Sequence, residues 1–316
     1  MRPRSRPRSL GRLSASAALA CVAATGLSGA GGSGQALIGT GLASTGATYL
    51  SSAVSGAASF STRTACSAGT GYPAAVNALS PTFYYRFGEA AAPAPATVAD
   101  SSGSARDGIV VAGGPTTSEI FGAGPQIWCD STGAMGQPAV ARAVSAAGTV
   151  VWNSLHAGPD IFTLMAWIQV PNGLSTGGRV LGFASANSGL SVDSDRILLL
   201  DNSGHVIFGV NPGAALVISS PGVVNDGRAH QLVASLGPAG GRLYVDGVLV
   251  ASNAGWTVGK AFSGYWRIGW DIADSWLPGT NPTNFGLGGI IDEVAVFEGI
   301  QLSPTAVATT YGANHW

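Results

Sequence analysis

Glycine or proline interrupts this chain about every ten residues, and the runs between them are short and apolar without a helical period. A chain broken that often has no room for long amphipathic helices, so short strands joined by turns are what remains. Two turns are explicit. Asn202-Ser203-Gly204 separates the run Arg196 to Asp201 from His205 to Val210. Asp246-Gly247 separates Gly241 to Val245 from Val248 to Ala251, and Asp-Gly supplies the two left-handed residues of a type I′ hairpin. Further strands are expected at Thr82 to Phe87, Asp107 to Ala112, Ala139 to Ser145, Thr149 to Trp152, Arg179 to Ala184, Ala214 to Ser219, His230 to Leu236, Tyr265 to Gly269 and Ile290 to Phe297. Phe162 to Val170 is apolar at both its odd and its even positions, which suits a central strand covered on both faces. Only Leu302 to Tyr311 reads as a short helical turn, with Ser303 as N-cap and Pro304 at the first helical position. The pattern predicts an all-β fold of one sandwich or barrel, with enough apolar material for a sizeable core.

Charge excludes one function class. Arg2, Arg4, Arg6, Arg8 and Arg12 crowd the first twelve residues; removing those five of the 15 basic residues leaves 10 against 16 acidic ones. An acidic body offers no basic face for nucleic acid. The basic start is followed by the weakly apolar run 13–30, ending in small residues, which is the order of an export signal. That run is too interrupted by Ser, Thr and Gly to predict a stable membrane span. The expected organisation is a signal peptide at 1–36, a flexible Gly/Ala/Ser/Thr-rich leader at 37–78 and a domain at 79–316, secreted or held at the cell surface. Once Cys21 leaves with the signal, Cys66 and Cys129 are an even pair in an exported chain and predict a disulfide.

Five ordered motifs then resemble one family. Phe83-Tyr84-Tyr85-Arg86-Phe87-Gly88-Glu89, with Asp100-Ser101-Ser102-Gly103 and Arg106-Asp107-Gly108, resembles the opening of laminin G-like jelly-roll domains. Phe162-Thr163-Leu164-Met165-Ala166-Trp167-Ile168 is similar to their central strand. Asp226-Gly227-Arg228-Ala229-His230 and Leu243-Tyr244-Val245-Asp246-Gly247 resemble their later strand and hairpin. Tyr265-Trp266-Arg267-Ile268-Gly269 and the run Gly289 to Phe297 are similar to the closing strands. The resemblance implies a concanavalin A-like jelly-roll β-sandwich of two antiparallel sheets, a fold that hosts lectins, adhesins, accessory modules of glycosidases and glucanases. Ala229 stands where the family often has tryptophan, and the insertion 116–138 is longer than a plain hairpin.

The glucanase branch carries carboxylates closely spaced on one strand, because a retaining enzyme needs two about 5 Å apart across the scissile bond. The four glutamates, Glu89, Glu119, Glu293 and Glu298, do not form that pattern, and Asp193 and Asp195 read as a turn. No serine stands in a G-x-S-x-G elbow. His230 reads as a structural polar contact, and His315 lies beside the chain end. A non-catalytic module that binds carbohydrate or another surface ligand is therefore expected. The alternatives are a structural or adhesive cell-envelope protein and, last, a glycoside hydrolase with an atypical site.

Two sites follow as expectations. Residues 256–285 are rich in aromatic side chains that stack on sugar C–H faces and in amides and carboxylates that take hydroxyls. Trp276, Trp270, Asp271, Asp274, Asn281 and Asn284 are the candidate sugar-binding residues, with Trp276 expected to be exposed. The resemblance also implies, for some members, a Ca2+ ion near the chain ends. Asp292 resembles its last-strand aspartate, with Asp100 or Glu89 nearby. Asp292 and Glu293 would otherwise cap loop amides or pair with an arginine.

Overall fold

The computed structural model describes residues 71–89, 96–111, 135–137 (backbone only), 149–274, 276–277 and 281–313. The expected signal, Cys66, Cys129, the expected strand at 139–145 and His315 lie outside the described residues.

Two antiparallel sheets form the body. The first has seven strands: β1 (Phe83–Tyr85), β4 (Met135–Gln137), β7 (Phe162–Gln169), β12 (Ala229–Leu236), β13 (Gly241–Val245), β14 (Val248–Asn253) and β16 (Gly289–Glu298). Its order is β1-β16-β7-β12-β13-β14, with β4 also pairing β16. The second has nine: β2 (Thr97–Val98), β3 (Gly108–Val111), β5 (Thr149–Val151), β6 (His156–Ala157), β8 (Gly178–Ala184), β9 (Ser194–Leu200), β10 (His205–Val210), β11 (Leu216–Val223) and β15 (Ser263–Gly269). Its order is β11-β10-β9-β8-β15-β5-β3-β2, with β6 on β15. The β13–β14 turn has Asp246 at φ 52° and Gly247 at φ 77°, the type I′ geometry expected of Asp-Gly.

The main core lies between the sheets. Phe162, Leu164, Ala166 and Ile168 point into it from β7, and Leu198, Leu200, Phe208, Trp266 and Val296 meet them. The other face of β7 is apolar too. Met165 and Trp167 are fully buried on the outside of the first sheet, under a second cluster. Helices α1 (Gly71–Asn77) and α2 (Pro304–Gly312) supply its cover. Tyr72 of α1 meets Trp167 edge-on at 6.1 Å, and Tyr311 of α2 stacks on it at 5.9 Å. The leader expected to run to residue 78 thus gives way to ordered structure by Gly71: Tyr72 and Val76, one helical turn apart, are both buried. At α2 the Ser303 side chain accepts from the Ala306 N–H, with Pro304 following, as expected.

The second sheet is also covered outside. Ile197 and Leu199 of β9 and Ile207 of β10 pack beneath Trp270, Ala273, Trp276 and Phe285. A buried arginine ties two loops to the sheet. Arg196, 0% exposed, donates from Nε to Pro159 O (2.7 Å), from Nη1 to Lys260 O (3.0 Å) and from Nη2 to Gly158 O (3.0 Å). Its counter-ion is Asp195, 3.3 Å away, and its guanidinium lies 5.6 Å from the Phe183 ring centre. Asp195, expected in a turn, is therefore a buried strand residue.

Chemical denaturation tests this assignment of weight. Arg196→Met strands the buried Asp195 carboxylate and is expected to cost about 3–5 kcal/mol. Trp276→Ala opens a cavity under the outer cover and should cost about 3–5 kcal/mol. Ser303→Ala removes one helix cap, worth about 1 kcal/mol. An Arg196→Met loss no larger than that of Ser303→Ala would contradict the structural role given to Arg196.

Candidate functional site

The aromatic loop expected to bind sugar is instead the cover of the second sheet. Trp276 is 5% exposed and Trp270 2%, so the expected exposed platform is absent. The reason is the apolar outer face of β9 and β10, which needs apolar partners. The polar residues of the loop hold its shape. Asn281 Oδ1 accepts from the Trp276 and Leu277 N–H groups at 3.0 and 2.7 Å. Asp271, fully buried, accepts from Ser191 and Ile272 N–H groups and from the Ser191 hydroxyl. Asn284 is 8% exposed, and Asp274 is half-buried on the same loop.

The expected calcium ligands do not assemble either. Asp100 Oδ1 accepts from the Tyr84 and Ser102 N–H groups, and its Oδ2 from the Ser102 hydroxyl and the Arg106 N–H, all at 2.8–3.0 Å. It folds the 100–106 loop, as its turn chemistry predicts. Glu89 Oε1 accepts from the Ala99 N–H at 2.8 Å. Asp292 is fully buried, with Oδ1 accepting from the Glu293 N–H at 2.8 Å. Among the described residues no group of three or more His, Cys, Asp or Glu could hold a metal ion. These residues do not fit a shared Ca2+. Glu293 instead pairs with Arg86 at 3.1 Å and accepts from the Tyr84 hydroxyl; burial pushes its pKa well above the usual carboxylate value.

His230 is the structural contact it was read to be. Its ring nitrogens lie 2.7 Å from Asp246 Oδ2 and 3.1 Å from Asp226 Oδ1, tying two loops together.

An open polar cleft of about 500 Å3 lies elsewhere, between the segment after α1, the 100–106 loop and the end of β16. Asn77, Thr82, Ser102, Ser104, Arg106 and Glu298 line it. Glu298 ends β16, and its N–H donates to Thr82 Oγ1 at 2.8 Å. Its Oε1 accepts from Trp266 Nε1 at 2.6 Å and is 2.8 Å from His156 Nε2. His156 Nδ1 is 2.7 Å from Ser154 O, an atom that can only accept. The imidazole therefore makes its best contacts doubly protonated. Burial alone would lower its pKa, but the Glu298 hydrogen bond, the Ser154 carbonyl and the Glu298 charge raise it above the usual histidine value. For Glu298, burial would raise the pKa, yet the His156 and Trp266 hydrogen bonds hold it below the usual value.

Glu298 Oε2 has no hydrogen-bond partner among the described residues, and its side chain is 24% exposed beside the cleft. Arg106 donates from Nη1 to Thr82 O at 2.8 Å and lies 5.3 Å over the Trp152 ring. The cleft thus offers one fixed carboxylate acceptor, one guanidinium, an amide and several hydroxyls. Sequence reading missed it because three separate segments build it. The one available signal was a glutamate closing the apolar run Val294 to Phe297 at the end of β16.

Three comparisons with known proteins place the chain among its relatives in different ways. A search of curated proteins returns no match. Among solved structures, a sialidase of Trypanosoma rangeli is similar at 12% identity and TM-score 0.45, over 73% of this chain and 32% of the sialidase. Domain 4 of an extracellular arabinanase from Geobacillus stearothermophilus, in complex with arabinotriose, is similar at 17% identity and TM-score 0.43, over 73% of this chain and 98% of that domain. Botulinum neurotoxin type C, from a structure whose subject is its interaction with two ganglioside molecules, is similar at 13% identity and TM-score 0.49, over 77% of this chain and 53% of the toxin chain. The model of the concanavalin A-like lectin/glucanases superfamily matches residues 144–308. That match takes in just over half of the sequence, and with two antiparallel sheets stacked face to face, the chain belongs to the concanavalin A-like lectin/glucanases superfamily.

Proposed function

We propose that this protein is an exported, non-catalytic carbohydrate-binding module whose ligand sits in the cleft bounded by Thr82, Arg106 and Glu298. The observation that carries the reading is the Glu298 carboxylate. Its Oε1 is pinned by His156 and Trp266, and the residue lines an open cleft that also holds hydroxyls and one amide. A carboxylate oxygen beside a guanidinium is a matched acceptor and donor for neighbouring sugar hydroxyls. Most glycosidases of either stereochemistry use two carboxyl groups flanking the bond. Among the residues lining this cleft Glu298 is the one carboxylate, which favours binding over cleavage.

A glycan array, run with Ca2+ and again with EDTA, identifies the ligand, and calorimetry measures it. Glu298→Gln and Arg106→Ala should each weaken binding at least about tenfold, the value of a hydrogen bond to a charged group. Unchanged affinity in both variants, or no glycan bound by the folded protein, would overturn the reading. Turnover of any polysaccharide in a panel would overturn its non-catalytic part.

The His156–Glu298 pair also sets a pH window. A raised histidine pKa contributes stability that is present below the ordinary value of about 6.5 and lost as pH rises through the raised one. A lowered glutamate pKa contributes stability that is present above its ordinary value and lost as pH falls through the lowered one. Binding and stability are expected to peak between those limits. NMR titration of His156 should give a value above 6.5 in the native protein. In Glu298→Gln it should drop, and no change there would contradict the pairing.

A further inference from the structure

Two guanidinium groups lie beneath the cover of the second sheet. Arg179 of β8 and Arg267 of β15 are 0% and 1% exposed, and the carboxylate between them, Asp271, is 0% exposed. Its Oδ2 lies 3.3 Å from Arg267 Nη1 and 3.7 Å from Arg179 Nη1. One buried negative charge thus faces two positive ones. Burial lowers the Arg179 pKa to about 10, opposed by Asp271, and the group remains charged at neutral pH. An uncompensated buried charge is costly.

The nitrogen atoms left over are all donors. Arg179 Nη1 donates to Ser194 Oγ and Ile272 O, and Arg267 Nη1 to Ala186 O, Gly189 O and Ser191 Oγ. Arg179 Nε and Nη2, Arg267 Nε and Trp270 Nε1 are buried without a hydrogen-bond partner. These groups belong to one neighbourhood. Gly182 is the cross-strand partner of Arg267, and a Cβ built on Gly182 would fall 2.7 Å from Arg179 Nη2. The Arg179 guanidinium therefore lies over the strand position opposite Arg267, where no side chain intervenes. Trp270 directly precedes Asp271 and packs in one cluster with Ile197, next to Gly182. A surplus of positive charge and of N–H groups calls for an acceptor with negative charge. Water would bring hydrogens of its own, which a guanidinium and an indole cannot accept.

We propose that a small monovalent inorganic anion of halide size binds between Arg179, Arg267 and Trp270 and helps hold the 270–287 cover on the sheet. The site is built from none of the residues that line the Glu298 cleft, so each reading stands or falls separately.

Bromide is the probe. Crystals of the protein grown in sodium bromide are expected to show an anomalous peak within hydrogen-bonding reach of Arg179 Nη2 and Trp270 Nε1. The melting temperature should rise with bromide concentration against sodium gluconate at equal ionic strength, because a ligand bound only by the native state stabilises it by mass action. Trp270→Phe deletes one N–H and should weaken apparent bromide affinity on the order of tenfold. Arg179→Gln should abolish the bromide dependence; where that variant fails to fold, the wild-type crystal and Trp270→Phe decide. A site filled only by water, identical melting in bromide and gluconate, or full bromide affinity in Trp270→Phe would each overturn the proposal.

Discussion

Strand β7 buries both of its faces, and that burial dictates the rest of the architecture. Phe162, Leu164, Ala166 and Ile168 enter the space between the sheets, while Met165 and Trp167 are as fully buried on the other side. A sheet apolar on both faces cannot present one of them to water without losing roughly 25 cal/mol for each Å2 of apolar surface exposed. Here the outer face receives α1 and α2. The second sheet repeats the situation through Ile197 and Leu199 of β9 and Ile207 of β10, and the 270–287 segment answers it. The molecule is therefore a two-sheet sandwich with an additional cover outside each sheet. Trp270 and Trp276, expected to meet a sugar, are buried in that outer cover.

Each cover encloses charge as well as apolar surface. Beneath α1, Glu293 accepts from the Tyr84 hydroxyl and pairs with Arg86. On β9 of the second sheet Arg196 binds three carbonyls from two separate loops, Gly158 and Pro159 on one and Lys260 on the other, together with Asp195. Such buried pairs gain little net stability over a well-packed apolar alternative, but losing one partner is expensive. A loop pinned by a buried guanidinium has few alternative placements. Gly158 and Gly259 show how closely the loops approach: a Cβ at either would fall 2.8 Å from the Arg196 guanidinium.

Much of this was readable residue by residue. Period-two and doubly apolar runs located β7, β10, β12 and β13 to within a residue or two, because their patterns reflect burial directly. Asp246-Gly247 and Ser303-Pro304 were readable because each satisfies a local backbone requirement. What failed was the distinction between an aromatic residue that packs and one that waits for a ligand. Trp276 looks the same in sequence either way; the outer face of β9 decides, more than 70 residues earlier in the chain. Helix α1 hid in a Gly/Ala-rich stretch whose only clue was Tyr72 and Val76 one turn apart. The Glu298 cleft hid for a different reason. Asn77, Thr82, Ser102 and Arg106 become neighbours of Glu298 only after β1 pairs with β16.

That pairing also builds the cleft in which a ligand is proposed to sit. Glu298 is the last residue of β16, a strand that lies between β1 and β7 in the first sheet. Its carboxylate is gripped by Trp266 and His156, which come from β15 and β6 of the second sheet. One side chain thus bridges both layers of the sandwich at their shared end. Next to it Gly299 donates its N–H to Ile161 O, closing the strand end against the start of β7. On the opposite wall Asp100 accepts four hydrogen bonds and fixes the 100–106 loop from which Arg106 reaches across to Thr82. Acceptor and donor are therefore each set by rigid elements before any ligand arrives, and a ligand that meets both avoids the ordering cost that a mobile site would impose.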